Sequence, residues 1–166
     1  MMSNAVNTLR DVLLHEMEVG IKSSTNLIKK VKEEHWDYQP ADHMNSLRHL
    51  MWHLVSIPEV DLTIMQEKGE GDVRTIEGYY KRLETAEDLA EEMYKGFEKL
   101  KTYMTSLSDE AFLNKETTAF YSESGHTQAT WLTETATHIF HHRAQLFNYM
   151  KQLDYDVNMF DLYVSV

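Results

Sequence analysis

Apolar residues recur at three- and four-residue spacing through most of the chain, the period of helices that bury one face. The first such stretch runs from about Ala5 to Glu34. Its stripe is Val6, Leu9, Leu13, Met17, Gly20, Ser24, Leu27 and Val31, with Lys22, Lys29 and Glu33 on the polar face. Pro40 lies just beyond it and disfavours helical geometry at the residue before it. The second stretch begins at Leu47, where Asn45 or Ser46 can cap it. It runs to just before Lys68, with Leu47, Leu50, Met51, Leu54, Asp61 and Met65 along one face. Pro58 cannot donate to the carbonyl of Leu54 and its ring crowds that turn, so a kink or a break and restart is expected there. Val73 to Arg82, with Tyr79 and Tyr80, reads as a connecting segment.

Thr85 followed three residues later by Asp88 resembles a capping box with Asp in place of Glu. The helix it opens runs to about Leu107, with Ala86, Leu89, Ala90, Met93, Phe97, Leu100 and Met104 in its stripe. Gly96 inside that helix costs about 1 kcal/mol against alanine, which asks for close packing or a ligand at that point. Residues 108–126 are rich in Ser, Thr, Glu and aromatics. They make a longer connection than two antiparallel neighbours need, with room for a short hairpin, and segments of this kind often cover a site or join an interface. The fourth helix runs from about Thr127 to Leu153 on Leu132, Ala136, Ile139, Phe140, Leu146, Phe147, Met150 and Leu153. The tail from Asp154 is too apolar to be free and is expected to fold back over the bundle or to join a partner. Four long amphipathic helices without strand alternation predict an all-α fold. It is a four-helix bundle of the up-down type with a long connection before the fourth helix. A length of 166 residues fits one domain spanning 1–166.

Composition narrows the chemistry. The chain has no cysteine, which removes disulfides, thiolate ligands and a cysteine nucleophile and leaves nitrogen and oxygen as the realistic metal ligands. Acidic residues outnumber basic ones 27 to 16, a formal net charge of −11, which opposes a nucleic-acid partner. The opening residues are too polar and too short for a secretory signal, and no run of 18 apolar residues suggests a membrane span. A cytoplasmic protein is the expectation.

One stretch of the fourth helix, H138-I-F-H-H-R-A-Q-L146, carries three of the nine histidines. At about 100 degrees per residue from Ile139, His142 falls near −60 degrees and His138 near −100, on one edge of the apolar face. Trp131 and Tyr149 lie beside them. His141 falls on the opposite side, toward solvent or a second subunit. On the second helix the same projection puts His53 at the edge of the apolar face, His49 further out and Trp52 pointing away. His53, His138 and His142 are therefore candidates to converge. Three imidazoles with an open fourth position suit zinc, and nickel or iron accept the same nitrogens. Hydrogen-bonded core histidines are the alternative. Glu134, one turn before His138, can reach the rim or stay a solvated carboxylate. No HExxH motif is present, so a zincin-type general base is absent.

These residues resemble the DinB-like (damage-inducible, YfiT-like) family of metal-binding four-helix bundles. The match rests on S46-L-R-H-L-M-W-H-L54 and on H138-I-F-H-H-R-A-Q-L146, including the HHRxQ portion from His141 to Gln145. The resemblance implies a three-histidine divalent-metal site made by His53, His138 and His142. Family members often carry glycine where this chain has Ala144 and Asp154. The wider superfamily includes metal-dependent transferases that use low-molecular-weight thiols, so a thiol S-transferase is one expectation. A non-catalytic metal- or small-ligand-binding stress-response module is the other. In the first case Gly96, Trp131, Tyr149 and Tyr121 would shape a pocket. The resemblance also implies a homodimer, with Trp52 suited to its interface, and induction by DNA damage rather than contact with DNA.

Overall fold

The computed structural model describes residues 2–166, with side chains from Ala5 onward. Among the described residues there are six α-helices: α1 (Met2–Ile28), α2 (Leu47–Met65), α3 (Glu70–Tyr80), α4 (Ala86–Ser106), α5 (Asp109–Asn114) and α6 (Gln128–Gln152). Strands β1 (Glu116–Thr118) and β2 (Gly125–Thr127) pair antiparallel between α5 and α6, with Thr117 opposite His126. The long connection thus holds a short helix and a hairpin.

The bundle consists of α1, α2, α4 and α6. Both α1 and α2 pack against α4 and α6, which places α1 diagonal to α2. Side-chain pairings give the directions. Arg10 reaches the carbonyl of Leu107 and Lys101 lies 3.8 Å from Glu18, so α1 and α4 are antiparallel. Trp52 donates to the carbonyl of Leu83 and Lys99 to Glu59, so α2 and α4 run parallel. Tyr149 donates to the carbonyl of Asn45 while His138 meets Asp61, so α2 and α6 are antiparallel. The four helices run up, down, down, up. Strict alternation is lost because the stretch Val73–Arg82, expected as a connection, lies mostly in α3, which carries the chain back along α2 before α4 begins. Buried Val73 and Tyr80 supply its apolar side, too few residues to declare a helix by period alone.

Caps and breakers behave largely as the local sequence dictates. Ser46, Thr85, Ser108 and Thr127 each accept a hydrogen bond from a backbone N–H in the first turn they open. Pro58 does not break α2, which continues through it with Pro58 itself buried, because packing on both sides holds the turn. The first helix ends at Ile28 instead of Glu34, and Glu33–His35 forms a separate 3₁₀ turn. The expected stripe is buried from Met17 onward, and only its first turns depart from it. Arg10, Leu14, Met17, Ile21 and Ile28 are buried, whereas Leu9 is 46 % exposed.

Two glycines set helix separations. A Cβ on Gly20 would lie 3.1 Å from Ile139 Cγ2, so α6 can approach α1 this closely only because residue 20 has no side chain. A Cβ on Gly96 would lie 3.2 Å from the Tyr80 hydroxyl and 3.4 Å from the Glu59 backbone nitrogen. Close packing, not a ligand, explains Gly96. Arg143, 8 % exposed, donates to the Ser23 hydroxyl and to the carbonyl of Leu162, tying α1, α6 and the tail together. Val157 is fully buried and Lys30 pairs with Asp161, so the tail folds back on the bundle.

Asp154 ends α6 with φ 59°, the left-handed region, while the Tyr155 N–H returns to the Met150 carbonyl. That is a position glycine fills without steric cost. An aspartate there also sits at the negative end of the helix dipole. Asp154→Gly is expected to stabilise the protein by about 1 kcal/mol, which thermal unfolding will register as a rise of roughly 2–4 °C for a chain of this size.

Candidate metal centre

His53 lies in the second turn of α2, positioned by the Ser46 cap and by the buried neighbours Leu50, Met51 and Leu54. His138 and His142 are four residues apart on α6, so they share one face. Ile139 packs against Gly20 of α1, and the neighbouring edge carrying His138 and His142 faces α2, where His138 meets Asp61. The structure brings the three rings together. His53 Nε2 lies 3.0 Å from His142 Nε2 and 3.2 Å from His138 Nε2, and the ligand atoms of all three lie within 4.8 Å of one another.

Hydrogen bonding alone accounts poorly for this arrangement. A ring nitrogen holds one proton or one lone pair, so His53 Nε2 can make only one good N–H···N bond and the second contact would go unsatisfied. A metal ion accepts all three lone pairs. Two nitrogens bound at about 2.0–2.1 Å with tetrahedral angles stand roughly 3.3 Å apart, close to the spacing found.

The far ring nitrogens are also held. His138 Nδ1 lies 3.2 Å from Asp61 Oδ2, and His142 Nδ1 lies 2.8 Å from Gln145 Oε1. Both partners are acceptors, so each Nδ1 carries the proton and each Nε2 keeps its lone pair toward the centre. The Gln145 amide nitrogen meets His141 Nε2 at 3.2 Å, which fixes the amide so that its oxygen faces His142. His141 is exposed, as its helix angle predicts, yet it has this orienting contact. Sequence reading placed Asp61 on the apolar stripe and Gln145 in the HHRxQ portion but assigned neither a role at the site. Their signals were an acid on an otherwise apolar stripe two turns after His53, and a glutamine one turn after His141.

Burial, and then the neighbouring histidines, hold the His53 imidazole down to about 4. Burial also lowers His142, with the Gln145 bond opposing it. The folded protein thus keeps His53 neutral, the form that binds metal. An unfolded imidazole protonates near 6.5. Between about pH 6.5 and 4 the unfolded chain takes up a proton that folded His53 resists, so stability is full above 6.5 and falls as the pH drops toward 4. Thermal unfolding of metal-free protein across that range is expected to show falling Tm, with a shallower fall in His53→Ala.

A half-open cleft of about 360 Å³ adjoins His53 and His138. Asp61, Phe120, Tyr121, Trp131 and Glu134 are among its walls. Trp131 is fixed by its N–H donating to Thr117 Oγ1, and Tyr121, 67 % exposed, stands at the hairpin end. Tyr149 is not part of this cleft. Its hydroxyl donates to the Asn45 carbonyl and its ring packs edge-on against Tyr38. His49 lines a smaller pocket of about 40 Å³ on the other flank of His53. Trp52 is half-buried against the start of α4 through its bond to Leu83.

The sequence model of the DinB family matches residues 2–165. The chain belongs to the DinB family. Solved structures of this fold agree. A putative DinB-family member from Exiguobacterium sibiricum 255-15 is 25% identical with a TM-score of 0.71, covering 90% of this chain and 95% of its own. A DinB-like protein from Bacillus cereus ATCC 10987 is 19% identical with a TM-score of 0.68, covering 90% and 93%. A DinB-like protein from Bacillus subtilis is 20% identical with a TM-score of 0.60, covering 90% and 94%. Comparison with curated proteins gave no match. This DinB-family chain carries a three-histidine cluster capable of coordinating a divalent metal, and among the described residues no helix is long and apolar enough to cross a membrane.

Proposed function

We propose that His53, His138 and His142 bind one divalent transition metal ion, nickel, zinc or iron, and that the protein is a metal-dependent transferase acting on a low-molecular-weight thiol. The observation that carries this reading is the meeting of three Nε2 atoms at ligand spacing beside an accessible cleft. A divalent ion held by neutral imidazoles supplies Lewis acidity that lowers the pKa of a bound thiol. The chain has no cysteine of its own, so the sulfur nucleophile comes from solution. Asp61 and Gln145 keep two ligand rings in the metal-binding tautomer. Trp131, Phe120 and Tyr121 form the apolar wall that limits water beside the centre. A homodimer is part of the proposal, and Leu9 and Val12 of α1, 46 % and 52 % exposed, support it better than half-buried Trp52.

The test is elemental analysis of untagged protein beside a variant lacking all three histidines, followed by thiol-transfer assays with whichever metal is found. Metal in the parent and none in the variant, with turnover that needs both metal and thiol, is the expected result. Metal without turnover reduces the protein to a non-catalytic metal-binding module. No metal after reconstitution overturns the proposal.

A further inference from the structure

The cleft beside the histidines combines aromatic walls with carboxylates. Phe120, Tyr121 and Trp131 line it together with Asp61, Glu77 and Glu134, and neither lysine nor arginine does. Asp61 is committed to His138, at 3.2 Å, and Glu134 lies 3.4 Å from His126 Nδ1. Glu77 is half-buried and, among the described residues, its carboxylate has no hydrogen-bond or ion-pair partner, while its carbonyl accepts from the Lys81 N–H. Lys81 lines, with His53 and Glu77, the smaller pocket on the other flank of His53, and it does not line this cleft. Arg74 and Lys81 line the adjoining surface cleft beyond Glu77, and Arg74 is already paired with Glu70.

A half-buried carboxylate whose side chain has no partner, at the edge of an aromatic-lined cleft, is free to accept a charge-assisted hydrogen bond from a cationic group. Aromatic faces attract the same group through their quadrupole. Three carboxylates also outweigh the two charges of a divalent ion at the histidines, so the cleft stays negative with metal bound. Resting on the proposed function above, we infer that the reactant held in this cleft carries a protonated amine beside an apolar body. Its ammonium would lie toward Glu77 and Glu134, and its apolar part against Trp131 and Phe120. A volume of about 360 Å³ admits a small molecule of this kind.

Two probes of nearly equal shape separate charge from burial: phenethylamine and 2-phenylethanol. Both are titrated calorimetrically at neutral pH into metal-free and zinc-loaded protein, with zinc content measured on the same samples. The cleft is expected to bind phenethylamine about ten-fold tighter than the alcohol in both states. In a Glu77→Gln, Glu134→Gln variant that preference should collapse to about two-fold while alcohol binding holds. An unchanged circular dichroism spectrum will show that the variant folds. Equal affinity for the two probes, no binding of either, or a preference that survives in the variant overturns the inference. Failure of the metal reading shows separately, as zinc-free protein, and leaves the probe preference readable.

Discussion

His53→Ala is expected to take the protein from about one equivalent of bound transition metal to nearly none. His53 is the hub of the cluster, since its Nε2 alone lies within 3.2 Å of both other ligand atoms. The remaining pair sits on one helix and offers only two nitrogens, below the three protein ligands of open metal sites. The fold should survive, because His53 is half-buried at the edge of the core and not inside it. Metal at a hundred times its dissociation constant stabilises the parent by about 2.7 kcal/mol. For a chain of this length that is a rise of roughly 5–10 °C in Tm. The variant should show no such rise and an unchanged circular dichroism spectrum. Retention of a full equivalent by the variant would contradict the assignment of His53 as a ligand.

Asp61→Ala is the second large effect. Asp61 touches no ligand position itself, but its Oδ2 accepts from His138 Nδ1 and is only 14 % exposed. Loss of that acceptor frees the ring to rotate and to protonate the wrong nitrogen. Replacing such a supporting carboxylate lowers metal affinity by about 10–100-fold. Asp61→Asn keeps an acceptor oxygen at the same place and should recover most of the loss. Competition with a chelator of known affinity measures both. A structural role alone would lower Tm without moving the metal dissociation constant, so the two explanations separate in one experiment.

How far the sequence reached varied with the kind of contact involved. Thr85, and Ser46 as one of two candidates, were legible as caps because a cap bonds within one turn. The i,i+4 spacing of His138 and His142 was legible because one helix sets it. The burial of Arg10 in place of Leu9 was not, because Leu9, Leu13 and Met17 satisfy the period as well as Arg10, Leu14 and Met17, and only the partners α4 and α6 choose between them. The helix in residues 70–80 was hidden for a related reason. It buries Val73 and Tyr80, and the Tyr80 hydroxyl bonds Glu59, 21 residues away on α2.

The sequence by itself therefore determined the helical class, the caps, the absence of any cysteine and the pairing of two histidines on one face, since each depends on local geometry or composition. Tertiary structure alone decided the up, down, down, up order and the choice of Gly96 as a packing residue. It also decided the partnership of Asp61 with His138 and the place of Glu77 in the cleft beside the histidines. Those depend on side chains far apart in sequence, and helix packing sets their distances while local propensity does not.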